Sequence, residues 1–317
     1  MNKAEILQLS ARCGYPSKQA LILKNEASGR EYWRLFLEKG SVVLCYLDPN
    51  TGNHSRFIST AKILHQFDIN VPQVLDSFPE WGVTIQEDLG DSSLLDVWNE
   101  ENAEELTFQS LDLLADIHSI PDMQIPTLQP QDLTAQMELF KNIFCNDFLD
   151  VEVHSSISAL IDLASKELIA QPFVNCHFDF ERRNLMLSKE NKISVIDFQD
   201  LCKGPIGIDL AGILLDHYLA ANHGSINKAL TYFQKQSDLV ESVDDAFEFV
   251  RWGGIQRNLR ILGVLSRLYL EEGRDFRLKD MPMILKNLIF LIPDNSGCNE
   301  FMQDKVLPKL THRLSSA

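Results

Sequence analysis

Basic residues are too few in this sequence for a nucleic-acid-binding protein. Lys and Arg together number 29 against 45 Asp and Glu, which leaves a formal net charge of -16 at pH 7. Recognition of a phosphate backbone needs a local excess of positive charge. An anionic lipid surface repels a chain of this charge for the same reason. We therefore expect neither nucleic acid nor a membrane as a partner.

Long apolar runs are also missing. The most apolar stretch late in the chain, 284–292, contains Lys286 and Asn287 and ends before Pro293. A membrane-spanning helix needs about 20 apolar residues. The first residues, MNKAEILQLSARCG, carry charges within an amphipathic pattern and do not resemble a signal peptide. The sequence therefore favours a soluble cytoplasmic protein.

Paired cysteine motifs are absent as well. The sequence has 6 Cys and no CxxC pair, so it indicates neither a zinc site nor a disulfide framework. Widely spaced cysteines are typical of reduced, mostly buried thiols in the cytoplasm. They are Cys13, Cys45, Cys145, Cys176, Cys202 and Cys298.

The length and the pattern of the remaining sequence predict two lobes. At roughly 150 residues per domain, a chain of 317 residues suits two domains. Up to residue 88, short β-like runs surround one helical segment at 57–67, which indicates a small antiparallel sheet. Two of these runs, 32–37 and 41–47, are separated by Glu38-Lys39-Gly40, which predicts a β-hairpin. From Leu94 onward helical periodicity dominates. We predict an α+β, bilobal fold with a β-rich lobe at 1–88 and a larger, mainly helical lobe at 89–317.

One segment within the helical half has a different character. The apolar runs 185–188 and 193–196 flank four polar residues, and loops of four residues are common in β-hairpins. With those four residues as the loop, counting back along both strands places Asn184 directly beside Asp197.

Together with Asp179, this pair has the chemistry of phosphoryl transfer. Amide and carboxylate oxygens suit Mg²⁺, and a nearby carboxylate can orient a substrate hydroxyl and accept its proton. The segment spells H-x-D-x-x-x-x-N followed by Asp-Phe, as kinases do. Asp and Asn are also common turn residues, but their combination at these spacings favours the functional interpretation. We expect His177, the first residue of the pattern, to have a structural role.

The same residues resemble the Brenner-type loop of the aminoglycoside phosphotransferase/choline kinase superfamily, whose fold is protein-kinase-like. The similarity covers most of the chain and is greatest to the anomeric N-acetylmuramate/N-acetylglucosamine kinases of peptidoglycan recycling. Asp-Phe-Gln-Asp at 197–200 and Gln-Arg-Asn-Leu-Arg-Ile-Leu-Gly at 256–263 point to that branch. The other matching stretches are 27–34, 87–90, 183–186, 204–205 and 209–211.

This resemblance implies a phosphotransferase with ATP as phosphoryl donor and Mg²⁺ as cofactor. The acceptor would be the hydroxyl of a small-molecule sugar, most specifically the anomeric hydroxyl of an N-acetylated amino sugar. By the same resemblance Asp179 is the catalytic base, and Asn184 and Asp197 are the metal ligands.

The resemblance also assigns supporting residues. Asp209 matches a carboxylate that braces the catalytic loop, although an acidic residue at the start of a helix is also common as a simple charge or cap. Glu87 and Leu89 match the hinge whose backbone binds adenine, where side-chain identity matters little.

The kinase pattern expects a Lys on the third strand that contacts the nucleotide phosphates, and the run 41–48 contains none. The anomeric sugar kinases resemble this chain in lacking it. Arg30 and Arg34 are candidates to replace it because Arg binds phosphate bidentately; the competing interpretation makes both of them solvated. Ser28 and backbone amides would contact phosphate in place of a Gly-rich loop.

A late helix and the segment after Asp197 offer candidate residues for the acceptor. Gln256 and Arg260 share a helix face that Arg257 borders, and an Arg there could contact a carboxylate on a sugar. Alternatively, this helix is solvated and its arginines pair with nearby acids such as Glu248. Gln199 and Asp200 could hydrogen-bond sugar hydroxyls, or could simply form a turn.

Two other functions stay open. The acidic composition would suit a cationic acceptor such as choline or an aminoglycoside, although whole-chain charge says little about one groove. The missing Lys would suit a nucleotide-binding pseudokinase scaffold, but such a scaffold has no need to keep all three residues of the catalytic pattern. Nothing in the sequence decides the oligomeric state, for which a monomer is the simpler expectation.

Overall fold

The computed structural model describes residues 1–23 and 29–315. Within these ranges no helix combines the length and the apolar character that crossing a membrane requires. The strands are β1 (Gln19–Ile22), β2 (Glu31–Phe36), β3 (Ser41–Tyr46), β4 (Val74–Phe78), β5 (Val83–Glu87), β6 (Phe173–Cys176), β7 (Leu185–Leu187), β8 (Ile193–Val195) and β9 (Cys202–Pro205). The α-helices are α1 (Lys3–Arg12), α2 (Ser55–Gln66), α3 (Leu94–Val97), α4 (Ala103–Ser119), α5 (Pro130–Leu139), α6 (Ser155–Ile169), α7 (Ile206–Leu214), α8 (His223–Phe233), α9 (Val243–Glu272), α10 (Met281–Leu291), α11 (Cys298–Phe301) and α12 (Leu307–Ser315).

The chain divides into two compact units, each with its own internal packing. The predicted lobes at 1–88 and 89–317 differ from these units mainly in the hairpin β7–β8, which is far from the first unit in sequence but belongs to it by its contacts. Unit 1 consists of Met1–Val97 and Arg183–Gln199, and unit 2 of Trp98–Arg182 and Asp200–Ala317.

Unit 1 contains a five-stranded antiparallel sheet with the strand order β1-β2-β3-β5-β4. The predicted hairpin between β2 and β3 is confirmed: Phe36 pairs with Ser41, and the Leu37 N–H donates to the Gly40 carbonyl at 3.1 Å. Gly40 has φ +77°, a left-handed conformation that glycine adopts without strain. The helix predicted after this hairpin is confirmed as α2.

The two faces of this sheet have different surroundings. On one face, residues such as Leu44 and Ile85 pack with Ile6 of α1 in a buried apolar cluster. Each large aliphatic side chain buried in this way stabilises the unit by about 1.5–3 kcal/mol. Side chains alternate along a strand, so the cross-strand row of Arg34, Val43 and Gln86 lies on the opposite face.

The hairpin β7–β8 forms as predicted, but its register is not the predicted one. Leu185 pairs with Val195, and the Ile196 N–H donates to the Asn184 carbonyl at 3.0 Å. Asn184 is therefore opposite Ile196. The prediction that Asn184 lies directly beside Asp197 in the strand pairing was wrong by one residue.

The loop of this hairpin explains the shift. The Ser188 N–H donates to the Lys192 carbonyl at 2.9 Å, and the Asn191 N–H donates to the Ser188 carbonyl at 3.0 Å. Asn191 has φ +57°, a conformation that Asn tolerates better than most non-glycine residues. The turn therefore includes Ser188, which was predicted as a strand residue, and this extra loop residue moves the register.

Unit 2 is predominantly helical, and the long helix α9 contacts many of its other helices. A Cβ on Gly253 would lie 2.0 Å from the carbonyl oxygen of Gly207 in α7. A Cβ on Gly263 would lie 2.4 Å from the Cβ of Leu139 in α5. These glycines let the helix backbones approach closely, so this part of α9 is a packing surface.

These units confirm the predicted bilobal α+β class, with an antiparallel sheet early in the chain and helices in the majority. The helical periodicity read from the sequence is confirmed in α4, α6 and α9. The six cysteines are buried, as predicted.

Candidate active site

A cavity of about 240 Å³ lies in unit 1, on the sheet face that carries Arg34, Val43 and Gln86. Apolar walls with a few polar groups are typical of small-molecule sites. The described residues that line it are Leu23, Tyr32, Arg34, Val43, Pro72, Gln86, Glu87, Asp88, Leu89, Gly90, Asp91, Ser93, Asp96, Arg183, Asn184, Met186, Ile196 and Asp197.

The two predicted metal ligands, Asn184 and Asp197, line this cavity together. They share a wall although they are not cross-strand partners, because Asp197 has φ +62° and so interrupts the regular alternation of strand side chains. Within the described residues, no group of three or more His, Cys, Asp or Glu could hold a metal ion. One amide and one carboxylate fit Mg²⁺, which usually takes its remaining ligands from water and substrate phosphates.

Gln199, predicted to contact the acceptor, contacts Asp197. Its Nε2 donates to Asp197 Oδ1 at 2.5 Å, and the residue is buried. The intervening Phe198 stacks on Phe57 of α2, with ring centroids 4.8 Å apart. These contacts hold the Asp197 segment and indicate that Gln199 orients the carboxylate. Asp200, the other residue predicted here for the acceptor, is exposed.

Arg34, predicted to bind phosphate, is paired with carboxylates. Its Nε donates to Asp88 Oδ2 at 2.6 Å, its Nη2 donates to the Gly90 carbonyl at 2.9 Å, and its Nη1 pairs with Asp91. Burial works to raise the pKa of Asp88, but hydrogen bonds from Arg34 and Ser41 hold it below its usual range. With its donors engaged in this way, Arg34 positions the segment after β5, which argues against a direct phosphate contact.

The other predicted phosphate contacts are Ser28 and Arg30. Ser28 lies outside the described residues. Arg30 is half-buried before β2 and is not among the described residues that line the cavity. Arg183, which the sequence reasoning did not single out, does line it. Its place directly before Asn184 was the available indication.

Both members of the Lys–Glu pair of protein kinases are absent from the corresponding elements. β3 contains no Lys, and α2 contains neither Asp nor Glu. Val43 is the residue of β3 that lines the cavity. The absence of both Lys and Glu is consistent with their pairing in protein kinases, because either charge alone would lack a counter-charge.

Glu87 and Leu89, predicted as the adenine-binding hinge, both line the cavity. The Glu87 N–H donates to the Gln73 carbonyl at 2.8 Å, so this donor is engaged within the protein. The hinge contact with adenine stays a prediction.

In unit 2, the buried carboxylate of Asp209 holds the residues before Asp179. The N–H groups of His177 and Phe178 donate to its two oxygens at 2.7 and 2.8 Å, and His118 Nε2 lies 3.4 Å from Oδ2. Burial works to raise the pKa of Asp209, but the interactions with His118 and His177 hold it below its usual range. Phe178 has φ +77°, a strained conformation for a non-glycine residue that these hydrogen bonds stabilise. This geometry supports the bracing role.

His177 is buried, as expected of a structural residue. Its ring meets the ring of Phe180 edge-on, with centroids 5.9 Å apart. Together with the backbone contact to Asp209, this places His177 in the framework of the loop.

Asp179 is paired with two arginines of α9. Arg257 Nη1 and Arg260 Nη2 both donate to Asp179 Oδ1 at 2.8 Å. Partial burial works to raise the pKa of Asp179, but the charges of Arg260 and Arg257 outweigh it and hold the pKa well below its usual range. The Asp179 side chain is still 40% exposed. It is therefore an ionised, accessible carboxylate, as a hydrogen-bond acceptor for a hydroxyl must be.

Two of the predicted acceptor-binding residues on α9 are buried. Gln256 Nε2 donates to Gln136 Oε1 at 2.7 Å. Arg257 lies between the carboxylates of Asp179 and Glu181, with its side chain 2% exposed. These environments argue against direct contact of Gln256 or Arg257 with a sugar.

Arg260 is the partly exposed member of this set. Its guanidinium lies over the ring of Phe178, 4.4 Å from the centroid, and its side chain is 14% exposed beside Asp179. The competing interpretation was a solvated helix whose arginines pair with nearby acids such as Glu248. Arg257 and Arg260 do pair with acids, but these are Asp179 and Glu181. Glu248 pairs with Arg251 at 3.3 Å.

Glu181 is a charged residue of this region that the sequence reasoning missed. It is buried, its Oε2 pairs with Arg257 Nη2, and it lies 3.8 Å from His217 Nδ1. Its sequence position, two residues after Asp179, was the only indication.

Comparison with known proteins identifies the family. A model of the phosphotransferase enzyme family matches residues 21–236. The chain belongs to this family. The predicted superfamily is thereby confirmed, and so is the prediction that the protein is a phosphate-transferring enzyme.

Sequence relatives and solved structures agree with this assignment to the phosphotransferase family. The N-acetylmuramate/N-acetylglucosamine kinase of Neisseria meningitidis serogroup B is 28% identical over 280 residues, which are 83% of this chain and 82% of that protein. A spectinomycin phosphotransferase solved with ADP and spectinomycin superposes with a TM-score of 0.64 at 14% identity, over 99% of each chain. A choline kinase of Streptococcus pneumoniae superposes with a TM-score of 0.63 at 12% identity, over 90% of this chain and 98% of that one. These superpositions confirm the protein-kinase-like fold.

Proposed function

We propose that this phosphotransferase is an ATP- and Mg²⁺-dependent kinase of amino sugars. Its preferred acceptor would be the anomeric hydroxyl of N-acetylmuramate or N-acetylglucosamine, in the cytoplasmic recycling of peptidoglycan sugars. The observation that carries the kinase proposal is the shared cavity wall of Asn184 and Asp197. The name of the Neisseria relative supports the acceptor class.

The cavity in unit 1 is the proposed ATP site. Apolar side chains such as Val43 and Ile196 suit a purine, whereas Asn184 and Arg183 suit phosphates. We assign to Arg183 part of the phosphate neutralisation that the third-strand Lys provides in protein kinases. Arg34 would hold the segment after β5 around the nucleotide.

Asn184 and Asp197 would hold Mg²⁺, with Gln199 fixing the orientation of the carboxylate. When bound, Mg²⁺ would neutralise charge on the phosphates of the nucleotide. The amide and carboxylate oxygens fit that ion because each is a hard oxygen ligand.

Asp179 would accept a hydrogen bond from the acceptor hydroxyl and take its proton. As the hydroxyl oxygen bonds to the γ-phosphorus, the bond from that phosphorus to the bridging oxygen of ADP breaks. A carboxylate with a lowered pKa is a weak base, so its main contribution would be orientation of the nucleophile. Arg260 would contact an anionic group of the acceptor, such as the lactyl carboxylate of N-acetylmuramate.

An ATP-consumption screen over amino sugars, choline and aminoglycosides tests this proposal, with the Asp179→Asn protein as blank. We expect turnover on N-acetylated amino sugars. Loss of the reducing end in the product would support transfer to the anomeric hydroxyl, because phosphorylation elsewhere leaves the reducing end intact. Turnover on choline or an aminoglycoside alone would contradict the proposed acceptor class. Absence of turnover on every compound would favour a nucleotide-binding scaffold.

A further inference from the structure

Arg257 lies between two carboxylates of very different exposure. Its Nη1 donates to Asp179 Oδ1 at 2.8 Å and its Nη2 pairs with Glu181 Oε2. The side chains of Arg257 and Glu181 are each 2% exposed, whereas that of Asp179 is 40% exposed. One guanidinium therefore connects an inaccessible carboxylate to an accessible one.

The helix backbone that carries Arg257 has little freedom to move. Gly253, one turn earlier in α9, approaches Gly207 so closely that a Cβ would lie 2.0 Å from the Gly207 carbonyl oxygen. A Cβ on the adjacent Gly254 would lie 2.5 Å from Leu291 Cδ1. This tight packing fixes the backbone from which the Arg257 side chain extends.

Glu181 also has His217 as a neighbour. His217 Nδ1 lies 3.8 Å from Glu181 Oε2, and His217 Nε2 contacts Arg277 Nη2. Arg277 Nε in turn donates to Asp280 Oδ2 at 3.2 Å. Glu181 therefore has His217 beside it in addition to Arg257.

The charges of the four residues in this cluster balance, and the neighbouring carboxylate of Asp216 is itself paired with Arg182. Asp179 and Glu181 are opposed by Arg257 and Arg260. If Glu181 lost its charge, the buried Arg257 would have Asp179 as its remaining carboxylate partner among these residues. A buried guanidinium is costly without a full counter-charge, so it would draw Asp179 toward itself and away from a substrate.

We propose that Glu181 and Arg257 form a positioning pair that holds Asp179 in its productive orientation. Nη1 of Arg257 fixes the Asp179 carboxylate. Glu181 accepts from Nη2 of the same guanidinium and shares with Asp179 in compensating its positive charge. This inference rests on the proposed function, in which Asp179 orients the acceptor hydroxyl. In this inference Arg257 positions the Asp179 carboxylate and does not bind the sugar.

The test compares Glu181→Gln with the wild type on the amino sugar that the wild type phosphorylates best. The substitution keeps the shape of the side chain and removes its charge. A misplaced catalytic group costs about 100-fold, so we expect kcat per nucleotide-binding site to fall by about 10- to 100-fold, with KM for ATP and for the sugar within about twofold. Glu248→Gln is the matched control, since it removes an exposed partner of an arginine in the same helix.

Two further variants keep the test decisive. Arg257→Lys retains the charge but replaces two separated nitrogens by one ammonium, and it should show the same kcat loss if Glu181→Gln does not fold. In the Asp179→Asn background, Glu181→Gln should leave the residual transfer of labelled phosphate unchanged, because the positioned carboxylate is gone.

The outcomes separate this inference from the proposed function. Wild-type protein that turns over no amino sugar counts against the function. If the wild type is active, an unchanged kcat in folded Glu181→Gln overturns the positioning pair. A raised KM for the sugar in Arg257→Lys without loss of kcat overturns it as well, and would restore Arg257 as a substrate ligand.

Discussion

Arg34 and Asp88 are separated by 54 positions in sequence and are joined by two hydrogen bonds, Nε to Oδ2 at 2.6 Å and Nη2 to Oδ1 at 2.9 Å. This bidentate pair connects β2 to the segment that follows β5. Both residues line the cavity proposed for ATP. The pair therefore lies at one edge of the proposed nucleotide site.

Replacement of Arg34 by Lys should weaken nucleotide binding. A single ammonium cannot reproduce the bidentate geometry, and each lost charge-assisted hydrogen bond is worth about 1.5–3 kcal/mol. We expect KM for ATP to rise about 10-fold with kcat within about threefold, measured by steady-state kinetics. Arg12→Lys, which changes an arginine stacked over Trp81 away from the cavity, is the control. An unchanged KM would show that the segment does not need this clamp.

Replacement of Asp179 by Asn should remove turnover and preserve nucleotide binding. General-base and orienting groups contribute about 10²- to 10⁴-fold, so we expect kcat to fall within that range. Calorimetric titration with ADP should give an affinity close to that of the wild type. Turnover near the wild-type rate would contradict the assignment of Asp179.

Replacement of Asp197 by Asn should raise the Mg²⁺ concentration needed for activity. The change removes the only charged member of the proposed ligand pair, and hard cations prefer carboxylate oxygens. We expect the half-saturating Mg²⁺ concentration to rise at least about 10-fold, since mutation of the residues that merely support metal ligands already costs about 10- to 100-fold in affinity. The exposed Glu190→Gln in the β7–β8 hairpin serves as control; the same Mg²⁺ response in both variants would exclude Asp197 as a ligand.

Replacement of Asp209 by Asn should destabilise the protein in a pH-dependent manner. The pKa of Asp209 is lower in the folded state than in an unfolded chain, where Asp titrates near about 3.9. Its charge therefore stabilises the fold above about pH 4, and this stabilisation is lost as pH falls through the folded-state pKa.

Urea unfolding at pH 7 and at lower pH checks this expectation. We expect Asp209→Asn to lower the free energy of unfolding by about 3 kcal/mol at pH 7, and the difference from the wild type to shrink below about pH 4. Asp162→Asn on the exposed face of α6 is the control. A difference that stays constant with pH would mean that the charge of Asp209 contributes nothing.

Local sequence patterns were sufficient to predict several of the helices and strands. Alternating apolar residues and turn composition predicted the β2–β3 hairpin, and apolar spacing predicted α2 and α9, because these signals depend on residues close together in sequence. The register of β7–β8 was harder, since it depends on whether Ser188 belongs to the strand or to the turn. The left-handed conformation of Asn191 decides that point.

The roles of the arginines could not be predicted in the same way. Arg34 and Arg257 were assigned to phosphate and sugar because a charged side chain in isolation is assumed to be available to a ligand. Their carboxylate partners, Asp88 and Asp179, are 54 and 78 positions away. Only contacts between distant segments show that these guanidinium groups are already engaged.

Periodicity in the sequence predicted the α+β class, and motif spacing predicted the residue types of a phosphoryl-transfer site, because both are local properties of the chain. The family was predicted from the resemblance of its motifs. Tertiary structure alone decided which charges meet. It places Asn184 and Asp197 on one cavity wall in spite of a register that separates them. It also surrounds Arg257 with two carboxylates, because the cost of burying a charge is met only by the groups that folding brings beside it.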